Sequence, residues 1–142
     1  FEARYRVRCD ERWCTRDAHV SLRAEGGVRE LALTAEGGAW LAGGREQPEL
    51  RGALGVDLSW TPATNTLPIR PLSLAVGGKS GPLVAAWVRF PELTVEPLSQ
   101  EYERLSASRY RYSSRSGAFA ALLEVDGDGL VLDYEGLWHR LP

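Results

Sequence analysis

Short runs of alternating apolar and polar residues, broken repeatedly by glycine pairs, limit what this chain can build. Alternation at every second residue is the period of a strand with one buried face. Glycine reaches the positive φ values that two-residue hairpin turns require. Ala3-Arg4-Tyr5-Arg6-Val7-Arg8-Cys9 sets Tyr5, Val7 and Cys9 on one face and three arginines on the other. Asp10-Glu11-Arg12 reads as a turn, and Trp13 to Arg23 as a second strand with Val20 and Leu22 opposite His19, Ser21 and Arg23. Gly26-Gly27, Gly37-Gly38 and Gly43-Gly44 then punctuate Val28 to Ala35 and Ala39-Trp40-Leu41. The first third is a meander of short strands.

A different kind of corner follows. Val56, Leu58 and Trp60 alternate with Asp57, Ser59 and Thr61, which predicts a strand ending at Pro62. Pro62 has no N–H for a ladder, and Thr61, Thr64, Asn65 and Thr66 favour a tight turn that satisfies its own backbone. Pro71 to Val76 reads as the next strand, so this corner delivers Arg70 at its exit. Leu83 to Phe90 is apolar on both sides, as in a central strand buried on both faces. Glu92 to Glu96 alternates until Pro97. Ser99–Leu105 is the best helix candidate, because Leu98, Tyr102 and Leu105 are spaced for one helical face. Arg109 to Ser113, Phe119 to Val125 and Leu130 to Tyr134 return to strands, the last two joined by the turn Asp126-Gly127-Asp128-Gly129. The expected fold is mainly β, one domain over residues 1–142, with a single short α-helix.

Composition narrows the function classes. A formal net charge of −2 carries no basic excess, which argues against a nucleic-acid partner. No apolar run is long enough to span a bilayer. The chain starts at Phe1 rather than Met. A cytoplasmic setting is expected, with a periplasmic one left open, since removal of a signal peptide would leave such a start. Cys9 and Cys14 are expected to be reduced thiols, and His19 completes no zinc spacing, so no metal or cofactor is expected. Gly78-Lys79-Ser80 lacks the upstream glycine of a phosphate loop and precedes Pro82, which blocks the helix such a loop needs.

Taken together, these residues resemble the putative glycolipid-binding family of small bacterial proteins, once known only as a domain of unknown function. The resemblance rests on Val56-Asp57-Leu58 with Pro62-Ala63-Thr64-Asn65-Thr66-Leu67-Pro68-Ile69-Arg70. It continues in Ala85-Ala86-Trp87-Val88-Arg89-Phe90-Pro91-Glu92-Leu93, Tyr110-Arg111-Tyr112 and Tyr134-Glu135-Gly136-Leu137-Trp138. It implies an antiparallel spiral β-roll wrapped around a single short α-helix, similar in shape to bacterial lipoprotein carriers. It also implies an amphipathic small-molecule partner, such as a glycolipid, and no established catalytic residues.

A lipid-binding roll needs an apolar lining and a few polar groups at its mouth. Trp60, Trp87, Tyr110, Tyr112 and Trp138, with Phe90, are candidates for the lining. Asn65, Arg70, Arg89 and Tyr112 are candidates to meet hydroxyls or a phosphate. The same aromatics also serve as ordinary core, and the arginines as partners of Asp57, Glu92 or Glu96. Two other classes stay open. Asp57, Glu92 and Glu96, with His139, would make a carboxylate-based hydrolase site, acid–base or metal-dependent, if the strands bring them together, and Glu92 and Glu96 share a face if their strand is unbroken. A protein-interaction module would show an exposed apolar edge or patch.

Overall fold

The computed structural model describes all residues, 1–142. Five strands, β1 (Glu2–Cys9), β2 (Thr15–Ala24), β3 (Gly27–Glu36), β4 (Ala39–Ala42) and β5 (Arg45–Glu46), form an antiparallel sheet in chain order. The glycine pairs make its turns as expected: β2 closes on β3 at Ala24↔Gly27, and β3 on β4 at Glu36↔Ala39. A second sheet of seven strands curls beside it. It comprises β6 (Gly55–Leu58), β7 (Leu83–Val88), β8 (Val95–Arg104), β9 (Arg109–Ser114), β10 (Phe119–Val125), β11 (Val131–Tyr134) and β12 (Trp138–His139), again in chain order.

The two sheets are tied where β2 begins. The Thr15 N–H donates to the Leu54 carbonyl at 3.1 Å, and the Val56 N–H donates to Thr15 Oγ1 at 3.0 Å. Every neighbouring pair is antiparallel except β6–β7, which is parallel. A parallel pair needs a long crossover, and residues 59–82 supply it. That crossover holds the one α-helix, α1 (Thr66–Leu72).

The helix is not where periodicity placed it. Ser99–Leu105 belongs almost wholly to β8, where Leu98, Gln100 and Tyr102 are buried and Ser99 and Glu101 are exposed. Leu98 and Tyr102 are four apart, a spacing that suits a helix and a strand equally. The residue that decides between them is Gln100, a polar side chain turned inward. Conversely, the proline-rich corner is the helix. Thr61 caps a 3-10 turn, its Oγ1 accepting from the Ala63 N–H at 3.3 Å, and the turn (Pro62–Asn65) runs directly into α1. Pro62 stands at the start of the turn and Pro68 in the first turn of α1, where a missing N–H costs little. Pro71 in the last turn and Ser73 in the left-handed region (φ 43°) end it. Residues 73–76 therefore form no strand.

Strand β7 is second from the edge rather than central, and it is not buried on both faces: Ala86 and Val88 are covered by the first sheet, while Val84 is 38% exposed and Trp87 borders open space. Val56, Leu58, Ala86 and Val88 face the first sheet and pack with Val20, Leu22, Leu33 and Trp40. Each fully buried Leu or Val there contributes roughly 1.5–3 kcal/mol. On the other face of the second sheet, Ile69 of α1 packs on Tyr102, Tyr110, Tyr112, Leu123, Val125 and Val131, which belong to β8–β11. The Thr66 hydroxyl donates to the Gly129 carbonyl at 2.8 Å and pins the helix to the β10–β11 turn. The helix thus fills part of the hollow of the seven-stranded sheet, and the rest stays open. No helix is long and apolar enough to cross a membrane.

Candidate functional site

The unfilled part of the hollow is a cavity of about 460 Å³. Sheet register builds it. Asp57 lies beside Trp87, Ser114 beside Phe119, and Tyr134 beside Trp138, all with side chains on the concave face. Leu58 to Pro62 and Asn65 come in from the corner that leads to α1, Trp60 among them, and Leu98, Tyr112, Arg115 and Leu137 complete the lining. Tyr112 packs edge-on against Phe119 (centroids 6.1 Å apart) and Tyr134 (6.3 Å). The exposed Arg115 guanidinium, on the cavity wall, lies over the Trp87 ring at 5.0 Å, and Arg89, which does not line the cavity, lies over the same ring at 5.5 Å.

The floor is polar. The Thr64 hydroxyl donates to Asp57 Oδ1 at 3.2 Å, and Gln100 Nε2 donates to Asp57 Oδ2. Gln100 Nε2 also donates to the Tyr112 hydroxyl at 3.0 Å, and Asn65 Nδ2 donates to the Tyr102 hydroxyl at 2.9 Å. Both donors to Asp57 are uncharged. Burial therefore dominates and raises its carboxyl from 3.8 to about 6, while the bonds from Gln100 and Thr64 oppose the rise. Burial, and next the neighbouring Asp57 charge, pushes the Tyr112 phenol up. Tyr134 shifts the same way through burial first and then through Tyr112 and Asp57. Both phenols stay protonated at neutral pH and available as donors.

Behind this floor is a second, smaller and more apolar cavity of about 170 Å³, between the Trp13 turn, α1 and β7. Asp57 borders both spaces, with Thr64 and Gln100 on the far side.

Of the residues singled out from the sequence, Trp60, Asn65, Trp87, Tyr112 and Trp138 meet around the larger cavity. Tyr110 is buried in the core under α1, with the Arg104 guanidinium 5.7 Å from its ring. Arg70 projects away from the cavity and stacks on Trp13 at 4.3 Å. Arg89 reaches Glu96 at 4.0 Å beside Trp87. The three carboxylates do not converge. Glu92 is exposed in a turn, Glu96 faces Arg89, and only Asp57 enters the cavity. That turn, with Leu93 at φ 57°, breaks the strand that was to align Glu92 with Glu96. His139 instead bonds Asp133 at 3.1 Å.

Sequence reasoning missed Ser114, Arg115, Phe119, Tyr134 and Leu137. Phe119 and Tyr134 did carry a signal, since each sits in an alternating run near a turn. Arg115 carried none: Ser114-Arg115-Ser116-Gly117 reads only as a turn, and it is the backbone at Arg115 (φ 52°) and Ser116 (φ 56°) that aims the side chain at Trp87.

A sequence model of the family described as putative glycolipid-binding matches residues 1–140. No curated protein matches the chain. The crystal structure of a DUF1089 family protein from Pseudomonas aeruginosa is similar, with a TM-score of 0.91 and 42% identity, over 98% of this chain and 77% of that one.

Proposed function

The chain belongs to the putative glycolipid-binding family, and on that premise we propose that its cavity binds an amphipathic small molecule, such as a glycolipid, without transforming it. One observation carries the reading: an open space of about 460 Å³ with an aromatic lining and a few converging polar groups. Binding pockets typically enclose about 300–1,000 Å³ and have this make-up. Trp60, Trp87, Tyr112 and Trp138 form the contact surface in this reading, Asn65 and Asp57 meet the polar part, and Arg115 stands at the entrance. Three of the five tryptophans line the space, so ligand entry should change intrinsic fluorescence. Titration with alkyl glycosides below their micelle concentration is expected to give a saturable change at one site per chain. The reading fails if no amphiphile of any head group saturates and native mass spectrometry of gently purified protein finds no bound lipid.

A carboxyl raised to about 6 inside a cavity also favours a second reading, in which Asp57 acts as a general acid or base. Glycoside hydrolysis ordinarily uses two carboxylates, and neither Glu92 nor Glu96 stands beside Asp57, which is why binding is preferred. Turnover of a chromogenic glycoside or ester that disappears in Asp57→Asn would reverse that preference.

A further inference from the structure

The smaller cavity, of about 170 Å³, has no part in the reading of the larger one. It exists because small residues meet beneath α1. Gly55 and Ala85 stand opposite each other in the parallel register of β6 and β7. Gly55 is not at positive φ, and a Cβ there would make only ordinary contacts, 3.5 Å from Thr15 Oγ1 and 3.9 Å from Leu67 Cβ. Neither backbone conformation nor crowding demands the glycine, so what its missing side chain provides is space. Leu67 and Leu72 of α1 and Leu83 of β7 form apolar walls around that space. An apolar cavity of about 150 Å³ stays dry and takes a molecule of about six carbons.

The opening carries positive charge. The exposed Arg12 lines it next to Trp13, and the Arg70 guanidinium lies over the Trp13 ring at 4.3 Å. Trp13 holds φ 63°, unfavourable for a residue with a Cβ, and in that conformation it offers its ring to both the cavity and Arg70. Neither arginine is in an ion pair. Asp10, in the same turn, is taken by Arg16 at 3.1 Å and by the backbone N–H groups of Arg12 and Cys14. The inner end is closed by Asp57, Thr64 and Gln100, which bond to one another.

We propose that this cavity is a second binding site, separate from the larger one, and that it takes a medium-chain alkyl carboxylate. About six carbons lie against Leu67, Leu72, Leu83 and Ala85, and the carboxylate stays at the opening with Arg12 and Arg70. The orientation follows from charge. A carboxylate sent inward would be dehydrated and would meet Asp57 with like sign, whereas at the opening it keeps water and gains two cations. An alkylamine would meet those cations with like sign.

The test uses the full chain, calorimetry and tryptophan fluorescence. The ligands are alkanoates from butanoate to dodecanoate, octanol and octyl glucoside, each below its micelle concentration. In the wild type, affinity should rise about fourfold per methylene up to octanoate and flatten beyond it, once the cavity is full. Octanoate should bind about two- to fivefold more tightly than octanol, as for an exposed ion pair, and high salt should shrink that difference. Replacing both Arg12→Gln and Arg70→Gln should erase it. Ala85→Leu fills the cavity from β7 and should abolish octanoate binding. Octanol binding as tightly as octanoate overturns the anionic end. A fourfold gain continuing to dodecanoate, or octanoate affinity unaltered in folded Ala85→Leu, overturns the site. Saturation by octyl glucoside but not octanoate also overturns it and leaves the function proposed for the larger cavity standing. Saturation by octanoate alone supports this site and counts against that function.

Discussion

Residue identity matters most at Asp57, where dehydration competes with two neutral donors and wins. The consequence for stability has a definite sign. The carboxyl titrates near 3.8 when unfolded and at about 6 when folded. Protonated Asp57 therefore contributes stability that is fully present below pH 3.8 and is lost as pH rises through 6. The loss is about 2–3 kcal/mol. Asp57→Asn has no such titration, so the difference in urea midpoint between wild type and Asp57→Asn should move in favour of the variant between pH 4 and 6.5. A pH-independent difference would show that Asp57 is not dehydrated in the folded protein. Beside it, Tyr102→Phe strips Asn65 of its acceptor at a site only 5% exposed. That change should cost about 1–3 kcal/mol in chemical denaturation. These roles were half visible in the chain. Asp57 was marked by its inward-facing neighbours Val56 and Leu58, but nothing nearby in sequence revealed that Gln100 and Thr64, rather than an arginine, would face it.

Among the elements, the helix at Thr66–Leu72 shows how local chemistry is overridden by position. Its prolines read as strand breakers, and they are, but Pro62 and Pro68 lie where a helix begins and needs no N–H. The segment is held by what it touches: Ile69 in the aromatic cluster and Thr66 on the Gly129 carbonyl. The hairpin turn receives it closely. Gly129 has φ +79°, and a Cβ there would lie 3.4 Å from both Arg70 Cγ and Ile69 Cγ2. Gly136 has φ +71° but faces open space. Both replacements by alanine carry the left-handed penalty of roughly 1–2 kcal/mol, and Gly129→Ala adds the crowding against α1. Its denaturation midpoint should fall further than that of Gly136→Ala; equal shifts would mean that the helix does not rest on the turn. Strand β8 is the converse case. Its alternation was present in the letters, and a buried glutamine disguised it.

For the molecule as a whole, the core between the two sheets and the cavity lie on opposite faces of the second sheet, so the stability that this core supplies and binding should be separable. Leu33→Ala, at 1% exposure between the sheets, is expected to cost about 2–5 kcal/mol and to leave amphiphile titrations unchanged. Trp87→Ala, on the half-open concave face, should weaken octyl glucoside binding severalfold at a smaller cost in thermal midpoint. If Leu33→Ala abolishes binding while still folded, the two faces are not independent. The sequence by itself determined the strand-rich class, the glycine-paired meander, most hairpins and the aromatic content of the site, because alternation and turn chemistry are local and act over a few residues. It also carried the family signature. Only the tertiary structure decided which aromatics share the cavity, that Arg115 rather than Arg70 stands beside it, and that its carboxylate has no cationic partner. Those outcomes depend on register and curl across strands far apart in the chain, where one residue of slip or one turn of backbone sends a side chain to the other face.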